Sequence, residues 1–416
     1  MPKLRELYDQ PAALEPLFPT HKAGELRELA AELMRKSARL GGALHPVTRR
    51  GVVALLQTMN SYYSNLIEGH NTHPLAIEKA LRDEYSADPA VRALQRESRA
   101  HIEVQVLIEQ RLEKEPETDI CAPDFLRWIH REFYDRLPDE FRIVKTAGDD
   151  EARVVPGEVR QCEVEVGRHV PPTFASLPRF LTRFTEGYAP ARLDPLEQII
   201  ATAASHHRFA WIHPFLDGNG RVTRLFTDAY FMRVKTDGYR LWMVSRGLAR
   251  RRDEYMAALA SADAQRRNDL DGRGNLSDEG LARFCRFFLG TAIDQVDFMT
   301  SLLDLDSMQE RILFFAEHWI ARTRAAETIP ALLRDLFLRG EITRGDATRI
   351  LQKPERTARR ILGTLLDEGL LVSDAPGEPV RLGFPATLVG YYFPRLYPEG
   401  VELDADRSAP RITASG

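Results

Sequence analysis

The chain has 416 residues, enough at about 150 residues per domain for two to three folded parts. Hydrophobic residues at 44% and charged residues at 28% are the proportions of a globular protein, which excludes a disordered, collagen-like or coiled-coil chain. Lys+Arg 57 against Asp+Glu 61 gives a formal net charge of -4, so bulk electrostatics do not hold the chain on nucleic acid or anionic membrane, and only a local basic face stays open.

Cys121, Cys162 and Cys285 form no CxxC pair, so neither a disulfide framework nor a thiolate zinc site is expected and all three read as small buried apolar groups. The opening MPKLRELYDQPAALEPLF lacks the apolar core of a signal peptide, and no apolar stretch approaches the ~18 residues of a membrane span. The cytoplasm is therefore the expected location, with no membrane partner.

From about residue 24 to residue 110 the text is helical, broken at Gly41-Gly42, at His70-Pro74 and at Asp88-Pro89. Val52, Leu55, Leu56, Met59, Tyr63, Leu66 and Ile67 follow the i, i+3, i+4, i+7 spacing of one buried stripe, and Gly69 fits the stop of that helix. A further helix is expected from Ala122 to about Leu137. The valine-, glycine- and proline-rich stretch Arg153–Thr173 then alternates like a short hairpin. Helices resume near Leu177 and Pro195, break after Trp211, and resume from Asn219 through at least Tyr230. At the C-terminal end, Ile329-Pro330 opens a helix that ends at Gly340, Thr343 with Asp346 resembles a capping box, and a helix from Pro354 stops at Gly369. That is helix-turn-helix punctuation, and two apolar runs around a Pro-Gly turn within 370–386 follow it as a wing would.

The densest chemistry lies in Ile212-HPFLDGNGRVTR-Leu225. Gly218, Asn219 and Gly220 allow a loop whose backbone N–H groups point inward, and the helix beginning there adds its positive dipole end, which makes an anion cradle. Arg221 and Arg224, three apart on the first turn, can both grip phosphate oxygens, so polyphosphate is the natural ligand. Asp217 can share Mg²⁺ with those phosphates or simply cap the helix. His213 is close enough to accept a proton from a hydroxyl attacking the bound phosphate. There is no GxxxxGK[ST], and Gly218-x-Gly220 lacks the third glycine of a dinucleotide fingerprint. His206, His207 and His213 have no carboxylate or cysteine partner at zinc spacing, so His206 reads as a structural histidine.

The segment resembles the signature HPFx[DE]GNGRxxR of the Fic (filamentation induced by cAMP) family at every specified position, with a likeness that covers roughly residues 120–290. The resemblance implies a mainly α fold, a Fic-type helical core with a short β-hairpin flap, followed here by a C-terminal winged helix-turn-helix domain. The expected boundaries are 1–115 for an N-terminal helical region, 116–300 for the core, 301–400 for a linker helix and winged helix, and 401–416 for a tail.

It also implies a protein adenylyltransferase that moves AMP from ATP to a Ser, Thr or Tyr hydroxyl of a target protein. By that resemblance His213 is the base, Asp217 the Mg²⁺ ligand, Gly218, Asn219 and Gly220 the phosphate cradle, Arg221 a β-phosphate contact and Arg224 the γ-phosphate clamp. Val166 and Gly167, in the hairpin, would lie near the nucleotide, with the hairpin edge offered to a target peptide. Tyr255 and Asp263 would border the adenine, Asp263 standing where the family has asparagine. Ser64-NLIEG-Gly69 resembles the family's inhibitory motif [ST]xxxE[GN], with Ser64 and Glu68 on one face of a helix, and the resemblance sets Glu68 against Arg224 as a self-inhibiting contact.

Removal of AMP, or transfer of another nucleotide, is the nearest enzymatic alternative. A DNA-binding regulator with a nucleotide-sensing core is the non-enzymatic one. Arg356, Arg359 and Arg360 cluster on the second helix of the winged segment, while acidic residues balance basic ones from Glu341 to Arg381, so DNA binding and protein docking stand level there. A homodimer stays open.

Overall fold

The computed structural model describes residues 9–145, 151–167, 169–323 and 327–397. Helices α1 (Ala23–Gly41), α2 (Pro46–Ile67), α3 (Pro74–Leu81) and α4 (Pro89–Lys114) come first, and their breaks fall at the glycine and proline positions that the sequence marks. Proline at the first turn of α2, α3 and α4 removes a donor that would be orphaned there. His45, His73 and Asp88 accept the next free backbone N–H at each start.

α5 (Pro123–Asp135) leads to strands β1 (Ile143–Lys145) and β2 (Glu151–Arg153), paired antiparallel with Val144 opposite Ala152. The expected hairpin at Arg153–Thr173 is corrected: of that stretch only Arg153 lies in a strand. Past it the described residues run as a loop with one isolated bridge, Val166 to His169. Pro156, Pro171 and Pro172 cannot donate to a ladder. The loop instead wraps the buried Arg160, whose guanidinium bonds the carbonyls of Cys162 at 2.9 Å, Pro172 at 2.5 Å and His213 at 2.9 Å.

α6 (Leu177–Tyr188), α7 (Pro195–Ile212) and α8 (Asn219–Arg233) form the centre. α7 is opened by a reciprocal box in which Asp194 accepts from Leu196 and Glu197 N–H while Glu197 accepts from Asp194 N–H. From Ile199 to Ile212 nearly every residue of α7 is buried, because α1, α6 and α8 pack around it together with the later helix Asp278–Leu302. A helix enclosed on all sides has no polar face to show. α9 (Val244–Arg250), α10 (Arg252–Ala262), α11 (Asp278–Leu302) and α12 (Leu305–Thr323) complete the helical body. The boundary expected at 300 falls in the last turn of α11. Cys121 and Cys285 are buried as expected, whereas Cys162, in the loop around Arg160, is only half-buried.

The C-terminal unit runs α13 (Ile329–Arg339), β3 (Glu341–Ile342), α14 (Arg344–Leu351), α15 (Glu355–Asp367), β4 (Leu371–Val372), β5 (Val380–Leu382) and the short α16 (Val389–Tyr392). Its sheet order is β3-β5-β4, antiparallel throughout. Strand β3 escaped the sequence because two residues carry no alternation. This unit seats on α2. Gly51 faces the Phe384 ring so closely that a Cβ there would lie 2.9 Å from it, Thr48 Oγ1 donates to Phe337 O at 3.1 Å, and Tyr63 Oη donates to Leu396 O at 2.7 Å. One apolar core runs from Ala13 to Tyr397 through all these parts. The tail expected at 401–416 lies outside the described residues.

Candidate functional site

The site forms where α7 ends and α8 begins. His213 caps α7 in the left-handed region (φ 49°, ψ 61°), which turns the chain out of the helix. Two buried side chains hold that corner. Arg160 bonds His213 O through Nε at 2.9 Å and Pro214 O through its backbone N–H at 2.9 Å. His130 accepts from Gly157 N–H on Nδ1 at 2.8 Å, which leaves Nε2–H to donate to Asp217 O at 3.3 Å. The His130 ring stacks on Phe215 at 4.0 Å between centroids, so Phe215 is the packing anchor of the loop. Burial, helped by the nearby His169 and Arg160, pushes the His213 imidazole down to about 4, so the ring is neutral at pH 7 and can take a proton.

Gly218 starts α8 at φ 77°, and a Cβ there would lie 2.5 Å from the Tyr134 ring, so only glycine fits. Asn219 adds no side-chain donor to the cradle. Its amide closes the loop on Phe215, accepting from Phe215 N–H at 2.9 Å and donating to Phe215 O at 2.8 Å. Burial works to raise the Asp217 carboxyl, but Arg221 at 3.4 Å and the Tyr134 hydroxyl at 2.7 Å hold it below its ordinary value, hence ionised. Its side chain is 40% exposed. A single ionised carboxylate open to solvent beside a phosphate cradle fits Mg²⁺, which binds one or two carboxylates and completes its shell with phosphate oxygens and water. No group of three or more potential metal-ligating side chains occurs among the described residues.

Arg221 and Arg224 are both buried, and each meets a carboxylate. Arg224 Nη2 donates to Glu68 Oε1 at 2.6 Å and to Ser64 O at 2.9 Å, while its Nε donates to Ser64 Oγ at 2.8 Å. Glu68 follows the last turn of α2, and Gly69 beyond it takes φ 88°. Burial acts to raise the Glu68 carboxyl, yet Arg224 and Arg221 hold it below its usual value, so it is charged despite standing at the negative end of a helix. A Cβ on Gly220 would fall 2.2 Å from Glu68 Oε1, so the glutamate carboxylate lies directly against the cradle.

The remaining expected residues lie around this centre. Val166 is exposed, and its N–H and C=O both pair with His169, while Gly167 turns at φ 61°. His169 touches Trp211 O at 2.7 Å and lies within electrostatic reach of both His213 and Asp263. Tyr255 is buried. Its hydroxyl bonds His206 Nε2 at 2.7 Å, and His206 Nδ1 meets Thr227 Oγ1 at 2.7 Å, which makes His206 a hydrogen-bonded structural histidine. Asp263 Oδ1 lies 3.0 Å from His207 Nε2. Motif reading missed Arg160, Tyr134, His130 and Glu97. Glu97 could have been seen: Glu97, His101 and Gln105 recur every fourth residue between Ala93, Ala100, Val104 and Ile108, a polar row on a face that should be apolar.

Residues 120–231 match the model of the Fic/DOC family. The chain carries a Fic domain. A protein adenylyltransferase Fic of Nematostella vectensis is 30% identical over 173 residues, 42% of this chain and 37% of that protein. One of Drosophila grimshawi is 38% identical over 78 residues, 19% of this chain and 16% of that protein. The chain thus spans well under half the length of these curated relatives. The crystal structure of a Fic family protein from Desulfovibrio desulfuricans G20 superposes with a TM-score of 0.51 over 88% of this chain and 97% of that one, at 19% identity, and shares the Fic fold. Among the described residues no helix is long and apolar enough to cross a membrane.

Proposed function

We propose that this Fic protein is a nucleotidyltransferase that moves AMP from ATP to a Ser, Thr or Tyr hydroxyl of a protein, and that Glu68 restrains it. The observation that carries the reading is a neutral His213 one short loop from a glycine cradle with two buried arginines at the start of α8. The phosphates would lie on the N–H groups of Gly218–Gly220, with Arg221 and Arg224 on the outer phosphates. The hydroxyl oxygen attacks the α-phosphorus, its proton passes to a His213 ring nitrogen, and the bond to the departing pyrophosphate breaks. Asp217 would hold Mg²⁺, which supplies charge neutralisation of the phosphates. Most of the acceleration then comes from alignment, which Arg160 and His130 secure by fixing the loop. The names of the curated relatives support the adenylyl group as the one transferred.

Glu68 on Arg224 takes the grip that the terminal phosphate needs, so the restrained form would hold ATP out of line. The same closed geometry favours a second reading, hydrolytic removal of AMP from a modified target. The C-terminal unit, with the order helix, strand, helix, helix, strand, strand, supports our reading of it as a winged helix, and Arg356, Arg359 and Arg360 are exposed on α15. The test uses ATP labelled on the α- or the γ-phosphate, with the protein alone and with cell lysate. Label retained on protein from α-labelled ATP only is expected. Label from γ-labelled ATP, or none from either with Glu68→Gly, would refute AMP transfer, and release of AMP from a pre-modified target would favour the second reading.

A further inference from the structure

Arg221 is gripped by a carboxylate from outside the signature. Glu97, fully buried on α4, forms an ion pair with Arg221 Nη1 through Oε1, and its Oε2 meets His70 Nδ1 at 2.7 Å. His70 stands two residues after Glu68 and is tied back to α2 by its backbone N–H on Asn65 O at 3.0 Å. The Arg221 guanidinium lies 5.4 Å from the Phe133 ring centroid, its Nη2 leans to Asp217, and its buried Nε has no hydrogen-bond partner. One arginine edge is therefore fixed, one points to the proposed Mg²⁺ ligand, and one donor is unused.

We propose that Glu97 is a positioning residue: it presets Arg221 for the anion in the cradle and, through His70, ties that preset to the segment that carries Glu68. This rests on the transferase reading above. A buried carboxylate is costly unless paired, and the neighbouring inward positions of α4 are apolar or uncharged, so an apolar side chain would have served packing alone. Glu97 instead spends one oxygen on the cradle arginine and the other on the restraining segment. It also adds negative charge where Glu68 and Asp217 already balance Arg221 and Arg224. Glu97 therefore opposes the binding of phosphates while fixing the arginine that must align them, and removing its charge should move affinity and rate in opposite directions. General loosening of the fold would lower both.

The test measures ADP–Mg²⁺ binding by calorimetry and AMP transfer from α-labelled ATP, both in the Glu68→Gly protein. Glu97→Gln should bind ADP about fivefold tighter, the effect of one missing charge at a few ångströms. Transfer should fall about tenfold to a hundredfold as Arg221 loses its seat. Glu97→Asp keeps the charge on a shorter arm, so ADP affinity should stay near that of the parent while transfer still falls, and this variant decides the matter if Glu97→Gln does not fold. Unchanged transfer in either variant, or a parallel fall of affinity and transfer in Glu97→Gln, would overturn the assignment. Should the Glu68→Gly parent transfer no label, the transferase reading fails by itself. The ADP arm then judges Glu97 alone, with unchanged or weaker binding in Glu97→Gln counting against it.

Discussion

His213 shows how a single residue is tuned by what surrounds it. Its ring is uncharged at neutral pH because burial and the neighbouring His169 and Arg160 disfavour the imidazolium. His213→Ala should lower AMP transfer by about 10²–10⁴-fold, while calorimetry should still detect ATP–Mg²⁺ on an intact cradle. Equal transfer by the two proteins would remove the histidine from the chemistry. The same burial has a consequence for stability. His101 and His130, each pushed down to about 3, and His213, at about 4, stay neutral in the fold. The unfolded chain takes up protons near the ordinary 6.5, so between pH 6.5 and about 4 it binds more protons than the fold does and stability drops as pH falls. Three groups oppose this. His70, raised chiefly by its bond to Glu97, stabilises below 6.5 and loses that contribution as pH rises through its folded value, and Asp228, lifted by burial to about 6, and Asp237, also raised by burial, favour the fold when protonated. Five histidines held neutral, His206 and His207 together with these three, and Glu68 and Asp217 held charged, outweigh them. The urea midpoint should be lower at pH 5 than at pH 7, and a higher midpoint at pH 5 would contradict the assignment of neutral buried rings.

At the scale of elements, the site is a meeting of helix ends. The positive start of α8 receives the negative end of α2, and Glu68 reaches Arg224 only because Gly69 stops α2 there and because Gly220 has no Cβ. Arg224 can satisfy one strong anionic partner at a time, so the glutamate and a terminal phosphate compete for its fork. Glu68→Gly should raise self-labelling and target labelling by at least about tenfold, with little change in ATP affinity, since alignment rather than binding is what the glutamate denies. Adding Arg224→Ala should cancel most of that gain. A time course in which Glu68→Gly labels no faster than the parent would make the end of α2 an ordinary helix terminus.

Across the whole molecule, α2 lies between two parts. One side and the C-terminal end face α4, α8 and the cradle; Thr48, Gly51 and Tyr63 face the C-terminal unit, whose backbone also takes Arg246 Nη2 on Arg395 O at 2.7 Å. α15 connects to the helix that bears Ser64 through β4 and β5, since α15 packs on β4 and β5 packs on α2. On α15, Arg359 is already paired with Glu355, which leaves little net positive charge for a phosphate backbone. If the unit binds DNA, Arg356→Ala and Arg359→Ala should weaken a gel shift and flatten its salt dependence. Absence of any shift at low salt would assign the exposed face of α15 to protein docking.

Local rules were enough for much of this protein. The breaks between α1, α2, α3 and α4, the ends of α13 and α15 at Gly340 and Gly369, and the cradle of Gly218–Gly220 follow from proline, glycine and capping chemistry, which acts over a few residues. The HPFLDGNGRVTR segment was legible for the same reason, because a loop that must turn, present N–H groups and start a helix needs those residue types in that order. The stretch after Arg153 misled because its alternation is real but its prolines deny a ladder, and the buried Arg160 supplies the carbonyl partners that a second strand would have given. Only the tertiary structure decided that Glu68 meets Arg224 and that Glu97 meets Arg221. Those pairs join residues 156 and 124 positions apart, and no local periodicity encodes a contact made when separate helices pack.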